Sequence, residues 1–105
     1  MIQLAQETRE GWCVVAVRGR ADAEAAEELE NTLRAAVEQH PRVAVNFWSL
    51  SYISSAGLRA ILQGARAAET KGVEFVVCSP NASVKKVLDM SGMHHVMKIQ
   101  EKLPC

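Results

Sequence analysis

Two adjacent serines, Ser54 and Ser55, stand in the segment Leu50-Ser51-Tyr52-Ile53-Ser54-Ser55-Ala56-Gly57-Leu58-Arg59. A hydroxyl in such a place can attack a substrate, cap a helix, or accept a phosphate. Attack needs a general base and an oxyanion hole, and Ile53-Ser54-Ser55-Ala56-Gly57 is not the Gly-x-Ser-x-Gly turn that holds a hydrolase nucleophile. The chain also lacks a Walker-type phosphate loop. These absences argue against an enzyme and for a protein that is itself modified and bound. Upstream of the serines, Val43, Val45 and Phe47 alternate with Ala44, Asn46 and Trp48 as in a strand. Downstream, Leu58, Ile61, Leu62 and Ala65 recur at helical spacing. The serines therefore fall at a strand-to-helix turn, where unpaired backbone N–H groups and the positive end of the helix dipole favour both a capping hydroxyl and a phosphate. Capping accounts for one serine and leaves the other unexplained. Ala56 and Gly57 keep the turn small, which serves tight helix packing and access for a bulky partner equally well.

The other reactive side chains form no comparable group. Cys13, Cys78 and Cys105 are an odd set without metal-ligand spacing, which predicts two buried strand thiols and one tail thiol, with no disulfide framework and no bound metal. The pair His94-His95, without a neighbouring cysteine or carboxylate motif, reads as two polar side chains exposed to solvent. No cofactor is implied. Twelve basic and twelve acidic residues cancel, which removes the general electrostatic footprint of a nucleic-acid binder. No run approaches the roughly 18 apolar residues of a membrane span. The N-terminal Met1-Ile2-Gln3-Leu4-Ala5-Gln6-Glu7 lacks the parts of a signal peptide, so a cytoplasmic location is expected.

A chain of 105 residues with 49% apolar content suits one domain spanning 1–105, and no repeat or linker divides it. Ile2 and Leu4 mark a first strand. The polar turn Thr8-Arg9-Glu10-Gly11 leads to a second strand from Trp12 to Arg18, giving a hairpin. Asp22 precedes a first helix at Ala23-Glu24-Ala25 and is a candidate N-cap, with Ala25, Leu29, Leu33, Ala36 and Val37 as the buried stripe and Glu30 and Arg34 one turn apart on the surface. His40-Pro41 closes that helix. A third strand is predicted at about Arg42 to Trp48, then a second helix from the serines to Thr70 or Lys71 with Gly72 as its left-handed exit. Val73–Cys78 is a fourth strand. A third helix follows with the stripe Val84, Val87 and Leu88, ended by Gly92, and Val96–Ile99 is a short last strand. This order predicts an α/β fold: a mixed, mostly parallel sheet of about four to five strands with helices packed on it, and with the serine turn at the carboxyl ends of the strands.

Ile53-Ser54-Ser55-Ala56-Gly57-Leu58-Arg59 resembles the signature of the STAS domain, the anti-sigma-factor antagonist family. Gly19-Arg20-Ala21-Asp22, Val76-Val77-Cys78-Ser79-Pro80 and the segment from Val84 to Met93 agree with it in order and spacing. The resemblance implies partner switching. The unphosphorylated antagonist binds an anti-sigma factor that is also a serine kinase, and so frees a sigma factor or another held target. Phosphorylation of a serine at the start of the second helix dissolves the complex, and a metal-dependent serine phosphatase restores it. Aligning Gly57 and Leu58 with the motif places the phosphoacceptor at Ser55, with Ser54 as its rival in a position where many relatives carry aspartate. Asn46 likewise replaces an aspartate common at the end of the preceding strand.

The resemblance further implies a partner-binding face at Asp22, Ser54, Ser55, Ala56, Gly57 and Arg59, and a monomer that forms hetero-complexes. Asp22 can cap and contact a partner at once. Arg59, one turn beyond Ser55, can pair with a phosphate, although a solvated arginine is the expectation. Trp48 and Tyr52 flank the turn and are expected in core or rim packing; exposed, they would be interface anchors. The alternative is an accessory STAS subunit of a transporter or signalling complex, without regulated phosphorylation.

Overall fold

A computed structural model describes residues 2–103. The predicted tail thiol Cys105 lies outside the described residues. Strand β1 (Ile2–Arg9) and strand β2 (Trp12–Ala21) form an antiparallel hairpin, Arg9 opposite Trp12. Only Glu10 and Gly11 turn the chain, at φ 50° and 86°. A two-residue turn with both φ positive matches the right-handed twist of its strands, so Thr8 and Arg9 join the ladder instead of the turn. Helix α1 (Ala26–Gln39) buries Leu29, Leu33, Ala36 and Val37 as its periodicity predicts, and Arg34 Nε donates to Glu30 Oε2 at 3.0 Å. It begins later than the expected Ala23. Asp22 Oδ1 accepts from Ala25 N at 3.1 Å and thereby closes the turn before the helix instead of capping it.

Strand β3 (Arg42–Asn46) is shorter than its alternation suggests and is followed by a separate strand, β4 (Leu50–Ile53). Asn46 Oδ1 accepts from Trp48 N at 3.0 Å and Phe47 O from Leu50 N at 3.0 Å. These bonds bend the chain while Phe47, fully buried, anchors the bend in the core. Helix α2 (Ser55–Lys71) ends at Gly72 with φ 71°, as expected. Strand β5 (Glu74–Cys78), helix α3 (Ala82–Met90), a 3-10 turn (Met93–His95) and strand β6 (Lys98–Gln100) complete the described chain. The last strand starts after the expected Val96, which lies 49% exposed beyond the 3-10 turn.

The sheet has six strands in the order β1-β2-β3-β5-β6, with β4 paired to β2 off that path. β3 runs parallel to Cys13–Ala16 of β2, and β4 runs parallel to the later residues Gly19–Ala21. Each helical connection from β2 to β6 steps to the next strand in the same direction. Right-handed crossovers that all step one way put the helices on one face of the sheet. That face holds the main core of Val15, Val17, Leu33, Val43, Val45, Phe47, Ile61 and Val77 with their neighbours. The opposite face carries Trp12, Val14, Ala44, Val76 and Cys78, with Leu103 of the chain end laid against them. Cys13 and Cys78 are both buried, and burial pushes the Cys13 thiol up, keeping it protonated.

Helix α3 departs from its predicted stripe. Val84 and Leu88 are buried, but Val87 is 36% exposed. With successive residues 100° apart, Val87 lies about 60° from Val84 and well off the axis of the buried pair. The cap Asn81 ties this helix to the sheet: its Oδ1 accepts from Val84 N at 2.8 Å and its Nδ2 donates to Leu50 O at 2.9 Å. Asn81→Ala removes both bonds and is expected to cost about 1–2 kcal/mol, read as a lower midpoint in urea unfolding with an unchanged slope.

Candidate functional site

The end of β2 and the start of α2 meet at one carbonyl. Ala21 O accepts from Ser54 N at 2.9 Å and from Ser54 Oγ at 3.0 Å. The same Ser54 Oγ accepts from Gly57 N at 3.0 Å, so Ser54 is the N-cap of α2 and its hydroxyl is used as both donor and acceptor. A Cβ on Gly57 would lie 2.6 Å from Ala21 O, 3.0 Å from Ile53 Cγ1 and 3.2 Å from Ala21 Cβ. Glycine is required here because the helix start packs directly on backbone. The choice between tight packing and partner access thus falls to packing at this residue, and Gly57 itself is buried.

Ser55 is the first helical residue and is exposed, and its Oγ makes no hydrogen bond among the described residues. The first turn of α2 contains no acidic side chain of its own, so the positive end of its dipole favours negative charge beside that hydroxyl. Asp22 follows Ala21 directly and is thus brought to the same turn, half-buried. Ala56 is half-buried. Arg59 is exposed with no ion pair to any described residue, as expected of a solvated arginine. Ser54→Ala should cost about 1–2 kcal/mol of stability, because it orphans Gly57 N and one bond to Ala21 O, while leaving the Ser55 hydroxyl in place. Thermal melting checks the first part and in vitro phosphorylation the second.

The two aromatic residues that flank the turn are not in the core. Trp48 is 78% exposed and Tyr52 is 40% exposed. Tyr52 leaves the interior because the β2–β4 pairing shifts register between Gly19 and Arg20. Gly19 faces Leu50 and Arg20 faces Tyr52, so Ser51 is an extra residue that breaks the alternation and leaves Ser51 and Tyr52 outward between buried Leu50 and Ile53. The Arg20 guanidinium sits 4.2 Å from the Tyr52 ring centroid, a stacked pair that the residue types alone do not announce. His94 and His95 are exposed, with His94 Nδ1 3.8 Å from Asp89 Oδ1. Among the described residues no three His, Cys, Asp or Glu side chains are placed to hold a metal ion, and no helix is long and apolar enough to cross a membrane.

A serine-capped helix start seated on a β2 carbonyl, with a second, free serine beside it, sits in a fold whose sequence pattern the STAS domain family model matches over residues 3–104. The chain belongs to the STAS domain family. BtrV of Bordetella bronchiseptica is 30% identical over 93% of this chain and 85% of its own. The anti-sigma F factor antagonist of Paenibacillus polymyxa is 28% identical over 95% of this STAS chain and 87% of its own. The anti-sigma factor antagonist SpoIIAA superposes with a TM-score of 0.73 at 20% identity in its unphosphorylated form, covering 98% of this chain and 90% of that one. In its phosphorylated form, from Bacillus, the values are 0.70 and 24%, over 94% and 90%. A sulfate transporter family protein from Wolinella succinogenes superposes with 0.79 at 13% identity, over 92% and 82%. These structural likenesses establish the shared fold, and the sequence relatives place the chain among anti-sigma factor antagonists.

Proposed function

We propose that this STAS protein is an anti-sigma-factor antagonist that works by partner switching in the cytoplasm, with Ser55 as its phosphoacceptor. The unmodified form binds an anti-sigma factor that is also a serine kinase and releases the target that factor holds. Phosphorylation of Ser55 ends the complex, and a metal-dependent serine phosphatase reverses it. The observation that supports this reading best is the division of labour between the two serines. Ser54 is committed to capping α2 and to Ala21 O, whereas Ser55 presents an unbonded, exposed hydroxyl at the helix N-terminus.

The mechanism follows from charge at a contact surface. A phosphoserine carries about −1.5 to −2 charge at neutral pH and gains from the α2 dipole. The folded domain tolerates it, so phosphorylation need not rearrange the fold. A partner packed on this turn must instead desolvate or repel the phosphate, which costs several kcal/mol in a close interface. Asp22, Ser54, Ala56 and Arg59 surround Ser55 in this reading and form the contact surface, with Gly57 setting its backbone. Phosphosite mass spectrometry on protein isolated from its own cells, with identification of what co-purifies, is the test. Phosphate on Ser55 and a serine kinase retained only by unmodified protein support the switch. A protein unmodified under all growth conditions and held in a stable transporter assembly overturns it in favour of an accessory subunit.

A further inference from the structure

Three of the five exposed large apolar residues, Tyr52, Val87 and Met90, gather beside β4 and α3. Ser51, Tyr52 and Ile53 of β4 line one wall of a cleft of about 70 Å³, and Ser83, Val84 and Val87 of α3 line the other. Ser83, Val87 and Met90 follow one another at i, i+4 and i+7, so Met90, 78% exposed, extends the cleft wall by a turn. Lys86 lies three residues after Ser83 and four before Met90, so it flanks Met90 on the outer side of the helix, away from Val84. Arg20 covers Tyr52 from the other side. Neither cation is ion-paired with a described residue. The carboxylates nearest in sequence are engaged elsewhere, Asp22 with Ala25 N and Asp89 near His94.

We propose that this surface receives an amphipathic helix of the anti-sigma factor whose apolar residues enter the cleft and whose carboxylates meet Arg20 and Lys86. The proposal rests on the partner-switching reading and extends its interface from Ser55 along β4 to α3. Charge complementarity selects the occupant: an apolar strip bordered by two unpaired cations favours an apolar segment bordered by acids. A ridge of residues at i, i+4 and i+7 suits a helix laid in the groove. An added strand is less suited, because α3 packs beside β4 and Asn81 Nδ2 already occupies Leu50 O. Tyr52 and Met90 are the kind of aromatic and thioether side chains that anchor interfaces.

The experiment is calorimetric titration of the purified, full-length serine-kinase anti-sigma factor into the wild-type chain and into Met90→Asp, Lys86→Glu, Val87→Asp and Ser55→Asp. Met90→Asp and Lys86→Glu are expected to lower affinity tenfold or more. Both lie outside the core, so their melting temperatures stay near wild type even if Val87→Asp is destabilised. Rising salt should weaken the wild-type complex more than the Lys86→Glu complex. If Ser55→Asp loses affinity while Met90→Asp and Lys86→Glu bind as wild type does, the patch proposal fails and partner switching stands. If Met90→Asp loses affinity while Ser55→Asp does not, the patch stands and the switch at Ser55 fails. A wild-type dimer in sedimentation that Met90→Asp dissociates would overturn the proposed occupant in favour of a second copy of the chain.

Discussion

Ser55→Asp is expected to weaken binding to the anti-sigma factor kinase by about 10- to 100-fold, or about 1.4–2.8 kcal/mol, while leaving the domain as stable as wild type or more so. The two effects have opposite signs because the charge meets two different environments. Within the domain, a carboxylate on the first residue of α2 faces the unbonded N–H groups of a helix whose first turn has no acidic residue. Such placement adds about 0.3–1 kcal/mol. Across an interface, the same carboxylate must lose water without a built-in partner. Ser55→Ala, by contrast, should retain wild-type affinity and accept no phosphate, since the hydroxyl bonds to no described residue and its loss orphans nothing. Calorimetric titration and thermal melting of the two variants separate the effects. A Ser55→Asp protein that binds as wild type does would count against this turn as the contact surface, and one that melts early would count against a purely interfacial effect.

Gly57→Ala is expected to be the most damaging small substitution in the turn, at about 2 kcal/mol net and therefore a melting temperature lower by roughly 8–16 °C. The new Cβ would sit 2.6 Å from the Ala21 carbonyl oxygen, a backbone atom that cannot swing aside. The helix start would have to move away from β2, stretching both Ser54 bonds to that carbonyl. The helix propensity gained by replacing glycine with alanine, about 1 kcal/mol, offsets only part of this. Gly64→Ala is the control. Its Cβ would approach the Leu33 Cβ to 3.1 Å where α1 crosses α2, a contact between side-chain atoms that a small rigid-body shift relieves. Equal destabilisation by both substitutions in urea unfolding would rule out the special role assigned to the Ala21 carbonyl. The same displacement should also lower partner affinity for Gly57→Ala, because Ser55 travels with the helix start.

Periodicity and end signals made most of the elements legible before any coordinates. The buried stripe of α1, the exit of α2 at Gly72 and the hairpin of the first two strands are all local properties, set by side chains within a few residues of one another. The break between β3 and β4 was not legible. Alternation from Val43 to Trp48 continues through the bend, which is made by the Asn46 side chain and the Phe47 carbonyl. Alternation puts Phe47 and Trp48 on opposite sides, but only the fold shows that Phe47 is fully buried while Trp48 is left uncovered. Val87 shares this difficulty: an apolar residue at helical spacing reads as core until the packing of Val84 and Leu88 fixes which way the helix faces and leaves it off that axis.

The sequence by itself determined that a helix starts at a serine pair, that the chain is a STAS domain, and that one of the two hydroxyls is spare. Those conclusions depend on residue type and spacing, which fix backbone propensities and family pattern. Which serine caps and which is free was decided only by the tertiary structure. The deciding partners, Ala21 O for Ser54 and for the space beside Gly57, lie more than thirty residues away on another strand. A long-range backbone contact leaves no mark on local spacing. The same holds for the Tyr52, Val87 and Met90 surface, which exists because β4 and α3 are brought side by side.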